Sequence, residues 1–501
     1  MVSTAAVVCT SLALAIAYAF HRFTRRVSPT IPYAGATSPG RDPTFLERLQ
    51  AAGEYAKDPI AFLAKTRGIL GDVFCMDLLV TKIVFFLGPE GNKEIFRSAE
   101  DRLSFEHGIK WSLGPPIAQM YDYPGWAGPS NKFLRQALVR QEKLDGYYPV
   151  CVRVTEEWFA KWAQGDSIPL FKSISSLVIA NLLALFAGED ILARYGDELI
   201  AMMTQFERDA QKPILRVAPW PLWGYTPPGR ALFRTCDRFD EIIRKEMRDI
   251  LDNPDKHAGR DDYLYYLVTT FKDEFVPCYG RHIMSIIFGG HANAALTIPW
   301  LFLHARRFPG ALEKIREEAQ LPRGEKKPFL EACMRETSRL YTNTAVVRMV
   351  QQDTHVAGHL VPKGQIIACS PTATQRSEAT FVDADKWNPT RFLSTSLEQD
   401  EKDAAGDEES SPYSRWFSRG EFVQFGMGQH MCPGEKMARM FIFDLVLKIW
   451  MEKYEVDVVS GVQEGVKGID GVGVEGAWTE ENFGTPSVRG GDVMIKVKRR
   501  Y

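Results

Sequence analysis

One stretch near the end of the chain constrains it most: FVQFGMGQHMCPGEKMARMFIFDLVLKIW, from Phe422 to Trp450. Phe425, Gly426, Gly428, His430, Cys432 and Gly434 lie in a glycine-rich bend of the form FxxGxxxCxG, and an apolar helix begins directly after it. A lone cysteine in an apolar stretch is ordinarily a small core residue. The whole pattern points elsewhere. Glycines let backbone N–H groups approach one sulfur, and the helix N-terminus adds a positive field, so a thiolate is favoured there. A thiolate that ligates iron must be kept deprotonated and away from water, and such a bend supplies both conditions. Phe425 would cover the sulfur side, and His430 would bring a cation or donor toward a haem propionate.

The rest of the composition narrows the class. The 501 residues carry 61 Lys plus Arg against 63 Asp plus Glu, a formal charge of −2, so no global basic field exists to attract nucleic acid. A mean hydropathy of −0.20 excludes a multi-span membrane protein. The eight cysteines form no CxxC pair, which argues against a zinc site or disulfide framework and for a reducing compartment.

Val2 to Phe20 is uncharged and about long enough to cross a bilayer, and His21, Arg22, Arg25 and Arg26 follow at once. With positive charge after the apolar run, the rest of the chain stays cytosolic, so residues 1–26 read as an uncleaved single-pass anchor. A cleaved signal and a core helix are the other readings. Pro29 and Pro32 stiffen a hinge over 27–43, leaving 44–501 as the body.

Along that body, residues 44–68 read as a helix and Gly71 to Gly91 as a strand pair ending in a turn. Helical periodicity dominates from 130 to 340. Within it a long apolar helix, Tyr279 to Arg307, holds the poor helix formers Gly289, Gly290 and Pro299. The proline- and tryptophan-rich segment Leu215 to Phe233 reads either as a packed loop or as one that dips into a membrane interface. Residues 394–411 form an acidic, solvated insertion.

A second signal is Glu336 with Arg339 in FLEACMRETSRLY, an ExxR pair on one helical face. Alone, such a pair is usually a solvated surface contact. Its apolar surroundings, and Arg391 in WNPTRF downstream, suggest instead a carboxylate held between two guanidiniums.

FGMGQHMCPG, ETSR and NPTRF, in this order behind an anchor and a proline hinge, resemble a microsomal cytochrome P450. The resemblance spans about residues 30 to 501. It implies a mainly α fold with small β-sheets after a single N-terminal transmembrane helix. It also implies haem b ligated by Cys432, and Glu336, Arg339 and Arg391 as a structural triad near the proximal side. The expected partners are an NADPH-dependent cytochrome P450 reductase, with cytochrome b5 as a further electron donor, a hydrophobic small molecule and the endoplasmic reticulum membrane.

The long helix departs from the family pattern. In FGGHANAALTIPW, Gly289 and Gly290 fit the usual bulge, but Ala292 stands where the acid is expected and Asn293 where the threonine is. Asn293 followed by proline resembles the branch holding cholesterol 7α-hydroxylases, sterol 12α-hydroxylases and prostacyclin synthase. That branch includes both hydroxylation and rearrangement. Asn293 is the candidate for handling oxygen through an ordered water, and His291 the nearest titratable group. Tyr121 and Lys132 are the candidates for propionate contact. Phe288, Gly289, Gly290, Ala292, Val346 and Phe483 are candidates for lining an apolar substrate pocket.

The leading expectation is a haem-thiolate monooxygenase acting with O2 and NADPH-derived electrons on a lipophilic polycyclic substrate such as a sterol or terpenoid. A P450-type isomerase or dehydratase needing neither O2 nor reductase is the alternative, and a haem-binding sensor or carrier is a third. The acidic insertion and the CPGE run are reminiscent of fungal specialised-metabolism members.

Overall fold

The structure is a computed structural model. It describes residues 26–78, 81–126, 134–135, 138, 140–210, 212, 215, 220–272, 274–341, 345–393, 412–460, 468–469, 472–473 and 492–500. The expected anchor through residue 25, the acidic segment 394–411, Lys132 and Phe483 lie outside the described residues.

Helices dominate, and the described residues also form four small sheets, two of which are two-stranded. Near the N-terminus the chain forms α1 (Phe45–Lys57) and α2 (Pro59–Leu70). This corrects the single helix expected over 44–68. Asp58 ends α1 in an extended conformation and caps α2 by accepting from the Ala61 N–H, while Pro59 takes the first helical position of α2. At the start of α1, Thr44 and Glu47 form a reciprocal capping box.

The strand pair is present as β1 (Val73–Asp77) and β2 (Lys82–Phe86), antiparallel, with Cys75 opposite Val84. Next come α3 (Gly88–Arg97), β3 (Leu103–Ser104) and α4 (Phe105–Leu113). Strands β5 (Val346–Val350) and β6 (Ile366–Cys369) complete a five-stranded sheet ordered β1-β2-β6-β5-β3. In it β2 pairs with β6 in parallel and is buried along its whole length, as an interior strand covered on both faces must be. A second sheet joins β4 (Ile168–Pro169), β8 (Met494–Arg499) and β7 (Tyr454–Ser460), in that order.

Between the sheets lie α5 (Gln141–Gln164), α6 (Leu170–Phe186), α7 (Glu189–Ala210), α8 (Pro227–Asp252), α9 (Val276–Arg307) and α10 (Pro328–Leu340). Helix α6, LFKSISSLVIANLLALF, is apolar around most of its circumference and is buried accordingly. Helix α8 buries a single stripe: Leu232, Cys236, Phe239, Ile243, Met247 and Ile250. The 32-residue α9 is long and apolar enough to span a bilayer, yet most of it is enclosed by protein, so it serves here as the central core helix. The bend containing Cys432 leads into α11, which starts at Glu435–Arg439, widens into a π-helical stretch over Met440–Leu447 and resumes as α-helix over Lys448–Lys453.

Candidate haem site

Within the Cys432 bend, Gly426 (φ +80°) and Gly428 (φ +64°) adopt left-handed conformations. A Cβ on Gly426 would lie 3.1 Å from the His430 carbonyl, and one on Gly428 would lie 3.3 Å from the Phe96 carbonyl. Both backbone angle and space therefore demand glycine. The Cys432 N–H closes the bend by donating to the Phe425 carbonyl at 2.7 Å, and the Ala438 N–H returns to Gly434 as α11 begins. Of the seven cysteines described, Cys432 alone is exposed. Its residue is open on one side while its sulfur is walled by protein on the others. Burial pushes the thiol up, the Gly434 backbone N–H pulls it down, and Glu435 pushes it up again. The bend by itself thus does not create a thiolate; a coordinated metal ion deprotonates such a sulfur outright.

The bend is backed by α3 and α4. The Gln429 amide donates to the Ser98 carbonyl at 3.1 Å, and Arg135 donates to the Gln429 carbonyl at 2.6 Å. His430 stacks on Phe105 at 4.9 Å, and its Nε2 lies 3.0 Å from Glu100. Burial opposes ionisation of Glu100, but hydrogen bonds from His430, Ser104 and the N–H groups of Glu106 and Phe105 outweigh it and hold the carboxyl down to about 2. From the opposite side the Arg439 guanidinium sits 5.4 Å from the Phe425 ring, fixed by Glu331 on α10 and by Glu435.

One residue absent from the sequence reading stands out. Arg348 on β5 is almost fully buried and donates to the Val347 carbonyl, and among the described residues no carboxylate lies at ion-pairing distance from it. Its guanidinium rests 4.8 Å from the Phe105 ring and 5.9 Å from the Phe96 ring, the side chains that back the cysteine bend. Burial lowers its pKa, while Cys369 and Glu100 raise it through longer-range attraction. An uncompensated buried cation is costly, and an anionic ligand group beside it offsets that cost. A site with one exposed cysteine in a glycine bend and, behind it, a buried guanidinium that faces no carboxylate among the described residues fits a haem with its propionates.

Glu336 and Arg339 are each fully buried, and Arg391 is 12% exposed. Glu336 accepts from Arg339 at 2.8 and 2.9 Å, from Arg391 at 3.1 Å and from the Asn388 N–H at 2.8 Å. Arg339 also donates to the Gln375 and Ala384 carbonyls, and Arg391 to those of Val382 and Asp383. The ExxR pair is therefore an interior knot that ties α10 to the chain ahead of the cysteine bend. A surface pair could not do this.

In the middle of α9, Gly289, Gly290 and Asn293 are exposed inside an otherwise enclosed helix. A Cβ on Gly289 would meet open space. The Asn293 carbonyl accepts from Thr297 Oγ1 at 2.8 Å. Helix α9 stays α-helical through both glycines, which corrects the expected bulge: the space beside them comes from missing side chains, while the helical ladder continues.

His291 also needs correcting as a catalytic candidate. It is two residues from Asn293 and so on the opposite side of the helix, fully buried, with Nε2 2.7 Å from Ser175 Oγ and Nδ1 2.7 Å from Glu207 Oε1. Ala292, expected in the pocket, is buried, and the half-buried Phe288 packs edge-on against Phe206. Val346 opens β5 opposite Cys369 and packs against the apolar cluster that includes Phe96 and Met427. Tyr121 is half-buried, and burial with the Glu106 charge pushes its hydroxyl up to about 12. In the loop considered for membrane contact, Trp223 is buried, while Leu222 and Tyr225 are exposed.

Comparison with known proteins agrees with this geometry. The family model described as Cytochrome P450 matches residues 38–472, so the chain belongs to the cytochrome P450 family. The chain is 25% identical over 465 residues to the cytochrome P450 monooxygenase pynD of Aspergillus niger, covering 89% of this chain and 90% of that one. It is 26% identical over 487 residues to a lanosterol 14-alpha demethylase of Cunninghamella elegans, with 89% and 90% covered. The solved structure of the retinoic acid-bound cyanobacterial CYP120A1 superposes with a TM-score of 0.68 at 18% identity, covering 94% of this chain and all of that one. The protein is thus an enzyme of the P450 monooxygenase family, and its cofactor is the haem with a cysteine thiolate ligand that the family and fold carry.

Proposed function

We propose that Cys432 would hold the haem iron through its thiolate and that the enzyme oxidises a lipophilic polycyclic substrate, a sterol, a terpenoid or a similar secondary metabolite, with O2 and electrons from an NADPH-dependent reductase. The carrying observation is the exposed Cys432 in a bend that two left-handed glycines enforce, with Arg348 buried against Phe96 and Phe105 behind that bend and facing no carboxylate among the described residues. Cys432, Arg348 and His430 would hold the haem, the latter two through its propionates. Haem held there would supply the activation of dioxygen, with a coordinated thiolate releasing electron density to the iron.

The chain's own residues do the rest. Gly289 and Gly290 leave room beside α9, the Asn293 amide can accept from and donate to one ordered water, and the Glu336 knot holds the loops behind the sulfur. The name of the lanosterol 14-alpha demethylase relative supports a sterol-sized substrate, and that of the pynD relative supports monooxygenation. The charge pattern of residues 1–26, together with exposed Leu222 and Tyr225, supports a single-pass anchor in the endoplasmic reticulum membrane with 44–501 cytosolic.

A second reading, rearrangement of an already oxidised substrate without O2 or reductase, is favoured by one feature: the exposed face of α9 at 289–293 offers an amide and no carboxyl or hydroxyl side chain.

The test is the carbon monoxide complex of the reduced protein. The wild-type chain should show the red-shifted Soret band of thiolate-bound haem and Cys432→Ser should lose it. Persistence of the band in the serine variant would remove Cys432 from the site. Product formation that requires NADPH, reductase and dioxygen separates the first reading from the second.

A further inference from the structure

Ser175 on α6, Glu207 on α7 and His291 on α9 meet in the core, and all three are buried. His291 Nε2 lies 2.7 Å from Ser175 Oγ, and Nδ1 lies 2.7 Å from Glu207 Oε1. Neighbouring residues repeat the junction in apolar form, since Phe206 meets Phe288 edge-on with ring centroids 5.9 Å apart. Glycine sits at the adjacent position 290, where a Cβ would lie 3.5 Å from Leu182, so α6 reaches from this junction to the edge of the exposed patch of α9.

A buried polar cluster of this kind is a poor source of stability. Apolar residues of similar volume usually serve a core as well or better, because the desolvation of the polar groups is avoided. Its use is to fix one arrangement among several, because its short contacts form at one separation only, whereas apolar side chains slide. The apolar Phe206–Phe288 contact alone would let α7 shift along α9.

We propose that Glu207 and His291 are positioning residues. Their contact, steadied by Ser175, seats α7 on the face of α9 opposite Asn293, and so fixes the rotation and position of α9 that aim its open face, Gly289, Gly290 and Asn293, at the substrate space. This inference rests on the haem-site reading above and adds to it a determinant of substrate size that touches neither substrate nor haem.

The test uses the full-length ferric protein and two iron-binding probes, imidazole, which is small, and 4-phenylimidazole, whose ring must fit the space beside α9. In the double variant Glu207→Leu/His291→Leu the Kd of 4-phenylimidazole, read from the Soret shift, should move by about fivefold or more while that of imidazole stays within about twofold. Amide hydrogen exchange over residues 203–210 should quicken, and the thermal midpoint should hold or rise. Unchanged selectivity between the two probes, or an equal shift of both, would overturn the proposal, because a purely structural cluster moves the thermal midpoint alone. If the leucine pair fails to fold, Ser175→Ala with Glu207→Gln loosens the same contact and is read in the same way. A preparation lacking the thiolate-haem band would count against the haem reading, and exchange over 203–210 would then decide the positioning role by itself, unchanged protection overturning it.

Discussion

The cysteine bend and the middle of α9 both depend on paired glycines, for opposite reasons. In the bend, Gly426 and Gly428 take left-handed backbone angles with neighbours within 3.1 to 3.3 Å of any added Cβ. In α9, Gly289 and Gly290 keep ordinary helical angles, and Gly289 faces open space. The first pair fixes where one sulfur sits, and the second keeps a volume free. The polar groups divide the same way. Around the bend, Glu336, Arg339, Arg391, Glu331 and Arg439 knit segments together, whereas the exposed side of α9 at 289–293 carries a single amide. Fixing an atom takes crowding and charge; admitting a substrate takes the removal of side chains.

That contrast can be broken by substitution. The largest effect should come from the knot. Glu336→Gln leaves two guanidiniums without their carboxylate in the interior and should cost about 3–5 kcal/mol in urea unfolding, with loss of bound haem as the bend loosens. Arg391→Ala should cost less, because Arg391 is partly exposed and Arg339 remains paired.

Alanine at the two kinds of glycine should then act with opposite signs. Gly428→Ala forces a left-handed alanine and should destabilise by about 1–2 kcal/mol. Gly289→Ala should stabilise by about 0.5–1 kcal/mol as a helix-interior change, while a methyl in the open space weakens binding of bulky ligands. Thermal midpoints and ligand titrations on the same pair of proteins give both readings. If both alanines destabilise alike, the distinction between the two glycine pairs is wrong.

The smallest effect concerns acid. The folded carboxyl of Glu100 titrates near 2, below its ordinary 4.5, so its contribution to stability is present above that ordinary value and is lost as pH falls toward 2. Its side chain is 41% exposed, which limits the size of the effect. Glu100→Gln should flatten the decline in unfolding midpoint between about pH 5 and about pH 3 relative to wild type.

Much of the site was legible because its signals are local. Glycines, cysteine and the following helix lie within about a dozen consecutive residues, and Glu336 with Arg339 share one face of one helix. The failures around α9 concern direction. Helix α9 is apolar on nearly every side, so periodicity cannot say which side faces open space, and His291 was assigned by nearness in sequence to Asn293 when it points to α6 and α7. Arg348 carries no motif; what marks it is burial with no carboxylate at ion-pairing distance among the described residues. The division between α1 and α2 was readable, since Asp58-Pro59 is a cap followed by a helix-starting proline, but the apolar pattern on both sides masked it.

The π-helical turns over Met440–Leu447 have an effect at a distance. By looping over a wider ring they reset the angular phase of α11, so the end that follows the sulfur and the end that bears Trp450 are aimed independently. Trp450 lands 4.4 Å from the Phe302 ring and 6.0 Å from the Phe159 ring, locking the tail of α11 to α9 and α5. Removing one residue from these turns would restore ordinary winding and swing the indole by about 100°, out of that aromatic socket. The extra residue works as a swivel that lets one rod serve two differently oriented neighbours.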